Sequence, residues 1–150
     1  MSYDSRIDTH AHIHQVQRLL FDVIHDISWR SMTHDQSKLQ EPELSVFNEY
    51  TSKLAGTTYG SPAYEEFRKQ MHPVLEHHYA NNRHHPEHFA NGIRDMTLLD
   101  IIEMLADWKA ASLRHNDGNI LKSVAQNQQR FGYSDELKQI LMNTVAYLGY

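Results

Sequence analysis

Apolar residues recur along this chain at steps of three and four, and no stretch alternates in the manner of a strand, so the pattern predicts helices alone. The first runs from about Thr9 to Met32, with His12, Val16, Leu19, Leu20, Val23 and Ile27 on one stripe. Pro42 suits the first turn of a second helix, whose stripe is Leu44, Phe47, Tyr50 and Leu54, with Gly56 as its stop. A loop is expected over Thr57–Gly60. Ser61-Pro62 then reads as an N-cap and first-turn proline, opening one helix that carries Tyr64, Phe67, Met71, Val74, Leu75 and His78 on a face and ends near Asn81. Thr97 and Asp100 form a capping box for a helix over about Leu98–Arg114, with Leu98, Ile101, Ile102, Leu105 and Trp108 as its core stripe. After a turn at His115–Asn119, two more helices are predicted, Ile120 to Phe131 and Asp135 to Leu148, separated by Gly132 and capped by Ser134. The fold class expected is all-α, a single helical domain of five to seven helices over residues 1–150.

Composition narrows the functions open to it. The 150 residues and 40% hydrophobic content suffice for one sizeable core. The absence of cysteine excludes a disulfide scaffold, a zinc ribbon and a cysteine nucleophile, and fits a reducing cytoplasm. No apolar run approaches the roughly 20 residues of a membrane span, and the polar N-terminus has no signal-peptide core. A net charge of -5 argues against general nucleic-acid binding, yet leaves room for a small phosphorylated substrate if a metal supplies local positive charge. Nothing in the sequence sets the oligomeric state, and a homo-oligomer is compatible with it.

The extreme number is histidine, 12 in all, five of them between Glu76 and Phe89: His77, His78, His84, His85 and His88. Helical phase sorts them. His12 falls on the inward stripe of the first helix and His14 off it, although phase alone leaves open which is a ligand. His78 points inward and His77 does not. His85 precedes Pro86, so His84-His85 belong on an extended loop, where neighbouring imidazoles can converge. His34-Asp35 can address one ion only if the chain kinks there. Glu103 and Asp107 share a face of the Leu98 helix, one turn apart. The ordinary readings are a satisfied core histidine for His12 and a solvated edge paired with Arg114 for the two carboxylates. Together, His12, His34, Asp35, His78, His84, His85 and Asp107 make a set of imidazoles and carboxylates without thiolates. Such a set suits Mn, Fe, Co, Ni or Zn, with Mg also compatible, and exceeds what one tetrahedral ion uses. Two divalent ions are expected, with Asp35 as the bridge.

This order of residues resembles the HD-domain superfamily of metal-dependent phosphohydrolases, over roughly Thr9 to Ala111. His12-Ile-His-Gln-Val16 is similar to its first motif, His34-Asp35-Gln-Ser-Lys38 to the His-Asp-x-x-Lys form of its central motif, and Asp107 in Leu-Ala-Asp-Trp-Lys to its final Asp. His78 and His84-His85-Pro-Glu87 resemble additions in the multi-metal branch, which includes cyclic-dinucleotide phosphodiesterases, but the glycine- and tyrosine-rich signature of that branch is absent. The chain also resembles a small phage and bacterial family of unknown function, in HDxSK, NxHHPEH, EMLxDWKA and KSxxxNxxRF. The superfamily resemblance implies hydrolysis of a nucleotide or related phosphate ester by metal-activated water. Asp35 and Lys38 are then the catalytic candidates, Lys38 and Arg130 would hold phosphate, and Glu87 or Glu103 would orient a ligand imidazole. It equally admits the superfamily's di-iron oxygenases, which cleave C–C or C–P bonds. A metal-binding module without turnover is the third reading.

Overall fold

A computed structural model describes residues 3–57, 61–114 and 118–150. Residues 58–60 of the loop expected over Thr57–Gly60 and residues 115–117 of the turn expected at His115–Asn119 lie outside the described residues. The all-α expectation holds: among the described residues there are seven α-helices and no strand. In chain order the helices are α1 (Arg6–Thr33), α2 (Glu43–Ala55), α3 (Pro62–Gln70), α4 (His72–Asn81), α5 (Leu98–Ser112), α6 (Ile120–Phe131) and α7 (Asp135–Leu148). Single 3-10 turns occupy Gln36–Leu39, Pro86–His88 and Gly92–Asp95. Among the described residues, no helix is long and apolar enough to cross a membrane.

By its contacts the chain divides into two units, Met1–His34 and Asp35–Tyr150. The first is the helix α1. None of its side chains is buried, and the stripe residues Val16, Leu19, Leu20 and Val23 are exposed. The inward placement expected of His12 is therefore corrected, because His12 is exposed. A single helix has no second surface of its own against which to cover an apolar stripe.

The second unit holds the core. Leu105, Ile120, Val124, Tyr133, Leu141 and Val145 pack together, with Ile101, Trp108, Phe131 and Leu137 against them. Tyr133 donates its buried hydroxyl to the Val124 carbonyl at 2.5 Å, and its ring stacks on Trp108. Burial pushes its pKa up to about 12, so the hydroxyl stays a donor. The N-caps read from sequence are in place. Ser61, Thr97 and Ser134 accept from the backbone N–H groups of Tyr64, Asp100 and Leu137, and Gly132 ends α6 in the left-handed conformation. Two expectations change. Leu98 and Ile102 are exposed, because the buried side of α5 is centred on Met104 and Leu105. The helix expected from Pro62 to Asn81 is two, broken at Met71, since Pro73 has no N–H with which to continue the α3 ladder. Leu105→Ala should cost about 2–5 kcal/mol of unfolding free energy, read as a lowered urea midpoint with unchanged m-value.

Candidate metal centre

Asp35 begins the second unit in the left-handed conformation, at φ 56° and ψ 16°. Only Asn and Asp among ordinary side chains adopt this readily, and it supplies the kink expected at the His34-Asp35 pair. From there the Asp35 carboxylate meets α4 and the loop that follows it. Its Oδ1 lies 3.3 Å from Nε2 of His78 and 3.5 Å from Nε2 of His84, and its Oδ2 takes the Lys38 ammonium at 2.6 Å. His78 and His85 bring their Nε2 atoms to 3.0 Å of each other. One ligand atom from each of Asp35, His78, His84 and His85 falls within 4.8 Å of the others, and the same is true of Asp35, His84 and Asp107.

Local sequence explains why these side chains converge. His78 is on the buried face of α4, and after Asn81 the chain leaves the helix at Asn82. Asn82 donates from its amide nitrogen to the His78 carbonyl and to the Ser37 hydroxyl, both at 2.8 Å, tying the helix end to the turn after Asp35. Arg83 donates two hydrogen bonds to Asp100, whose carboxylate also completes the capping box of α5. That clamp holds the turn at His84 and the extended His85 after it beside α5, the helix that carries Glu103 and Asp107.

The outer contacts set the chemistry of the imidazoles. His78 Nδ1 lies 2.8 Å from Oε2 of Glu43, a carboxylate with no exposed surface, and His84 Nδ1 lies 3.2 Å from Oε1 of Glu103. A carboxylate at Nδ1 fixes the N–H there and leaves Nε2 as a bare lone pair. The Nε2 atoms of His78 and His84 therefore face the Asp35 carboxylate, with His85 joining them. Acceptors packed this closely repel unless a cation lies among them, and the donor set of imidazole and carboxylate fits a first-row divalent ion. These residues could hold a metal.

His85 is held neutral. Burial, reinforced by His84 and His78, lowers its pKa to about 3 against the opposite pull of Asp107 and Asp35. The unfolded chain takes up that proton near pH 6.5, so between about pH 6.5 and about 3 it binds more protons than the folded one. Metal-free protein should accordingly lose stability as the pH falls through this window, by about 1.4 kcal/mol per pH unit at most for this one group. Urea midpoints measured downward from neutral pH should show the loss, and His85→Gln should flatten it.

The structure brings together Asp35, His78, His84, His85 and Asp107, with Glu103 behind His84 and Lys38 on Asp35. His12 belongs to neither group of the second unit. His34 ends the first unit and is joined to Asp35 by the peptide bond. Glu87 is corrected as a candidate for orienting an imidazole. Its Oε1 accepts from Arg130 at 2.5 Å, so both residues line a different surface. Sequence reasoning missed Glu43, which accepts from His77 as well as His78 at 2.8 Å, and the Ser37 hydroxyl that donates to it at 3.0 Å. The signal was present, because Glu43 precedes Phe47, Tyr50 and Leu54 in helical phase and so continues their stripe into the interior.

Over residues 1–147 the chain matches the model of a family of unknown function, DUF5662, and belongs to that family. No curated protein and no solved structure matches it.

Proposed function

We propose that this member of the family is a metal-dependent phosphohydrolase of the HD type, acting on a nucleotide or related small phosphate ester. The observation that carries the reading is the convergence of three imidazoles on Asp35, with the buried Glu43 behind one of them and the half-buried Glu103 behind another. His78, His84 and His85 would hold one side of a two-metal centre and Asp107 the other, with Asp35 between them. His34 is included on its place in the sequence motif alone. Bound divalent ions in such a centre supply a water that ionises near neutral pH and positive charge for the phosphoryl oxygens.

The chain's own residues have separable tasks. Glu43 and Glu103 keep His78 and His84 in the tautomer that presents Nε2. Lys38 uses one N–H on Asp35, and its two others are available to a phosphoryl oxygen. Neutral His85 presents a lone pair, where an imidazolium would repel a cation. The test is a screen of phosphomonoesters and phosphodiesters with purified protein loaded with Mn, Co or Ni. Metal-dependent phosphate-ester cleavage that is lost on chelation is the expected result. Consumption of O2 by an iron-loaded sample without ester hydrolysis would replace the proposal with the oxygenase reading, and neither activity would leave a metal-binding module.

A further inference from the structure

A cleft of about 530 Å³ lies in the second unit, between α3, α4, the Pro86–His88 turn and the end of α6. Its size is that of a small-molecule site. Leu75 and Tyr79, one turn apart on α4, form an apolar strip, and Arg68, Lys69 and Arg130 bring three permanent positive charges to it. Two carboxylates also line the cleft, and each already faces a base: Glu87 accepts from Arg130 at 2.5 Å, and Glu76 lies 3.7 Å from His72 Nδ1. Arg68 uses Nε on Glu65, outside the cleft, which leaves its terminal nitrogens as donors. Lys69 is exposed and has no hydrogen-bond or ion-pair partner among the described residues. The Tyr79 hydroxyl sits among these groups, near the Glu87 carboxylate, hydrogen-bonded to Arg130 and within the influence of Arg68. The groups not already committed to a carboxylate are thus N–H and O–H donors, most of them charged. This is the complement of an oxyanion, which accepts through every oxygen.

We propose that this cleft binds the phosphate group of a small ligand, at a site separate from the metal centre. A tetrahedral dianion suits it better than a planar carboxylate, because donors arrive from α3 on one side and from α6 on the other. Arg130 holds both Glu87 and the Tyr79 hydroxyl, and the five donors of a guanidinium exceed those two contacts. The cleft is also joined to the metal centre through one side chain. The Tyr79 ring lies 4.9 Å from that of His85, so a ligand seated against Tyr79 touches a residue that packs on the histidine group. The proposal does not depend on the hydrolase reading, since it concerns binding at different residues.

The test is calorimetric titration of the EDTA-treated full chain with pyrophosphate and with inorganic phosphate. Saturable binding is expected, weakened by about tenfold or more in Arg68→Ala and in Lys69→Ala, each of which removes one charged donor. Asp35→Asn should bind as the unaltered protein does, because Asp35 belongs to the other site. Both cleft substitutions fall outside the buried core, and circular dichroism would register a lost fold independently. Absence of saturable binding to the unaltered chain would overturn the proposal. Affinity in both cleft variants equal to that of the unaltered chain would do the same, as would loss of binding in Asp35→Asn.

Discussion

Asp35→Ala should abolish metal binding and, with it, any phosphate-ester hydrolysis. Asp35 is common to both groups of converging atoms, and its Oδ1 lies within 3.5 Å of two imidazole Nε2 atoms. Removing it leaves the imidazoles facing one another without the anion that draws a cation among them. The loss should exceed the roughly 10–100-fold in metal affinity that follows removal of an outer contact. Alanine also fits the left-handed backbone at this position poorly, at about 1–2 kcal/mol. Asp35→Asn is therefore the sharper variant, since asparagine tolerates that conformation and keeps the shape while losing the charge. Metal retained by Asp35→Asn at unchanged affinity, measured by elemental analysis after dialysis, would remove Asp35 from the site.

Glu43 is the second position where a large effect is expected, through the imidazoles it holds. Its two oxygens take Nδ1 of His77 and of His78, and the Ser37 hydroxyl donates to the second. In Glu43→Gln one oxygen becomes an NH2 group that confronts an imidazole N–H, so one ring must turn. Metal affinity should fall by roughly 10–100-fold while the helical fold persists. Glu43→Leu should be worse for folding, because it strands the buried His78 N–H at about 1–3 kcal/mol. A structural role alone predicts that both variants lose stability and that Glu43→Gln, where folded, binds metal normally. Chelator competition on the folded Glu43→Gln protein separates the two.

The helices were legible because their signals are local. Ser61, Thr97 and Ser134 cap, Gly132 stops, and apolar steps of three and four mark α6 and α7 to the residue. Met71 was harder to read, since the apolar face runs continuously through the break that Pro73 imposes. Helical phase also placed His78 correctly, and Pro86 correctly put His85 in extended backbone before it, whereas His84 sits in a turn closed by the His85 N–H on the Asn82 carbonyl. Phase failed where a side chain's partner is distant in sequence. Glu87 sits beside the histidines in the chain, yet Arg130 lies 43 residues away and claims it. Glu43 lies 35 residues from His78, and nothing within its own helix announces a histidine partner. Periodicity says which side of a helix is apolar and not whether anything covers it: on α1 the stripe residues Val16, Leu19, Leu20 and Val23 are exposed, as are Phe21, Ile24 and Trp29 off the stripe.

The central claim is that the imidazoles of His78, His84 and His85 and the carboxylates of Asp35 and Asp107 hold divalent metal. Calorimetric titration of the EDTA-treated full chain with Mn ions tests it most directly, with Asp35→Asn alongside. The expected result is saturable binding of two ions per chain in the unaltered protein and its loss in Asp35→Asn. No saturable binding, or equal binding in both proteins, would contradict the claim.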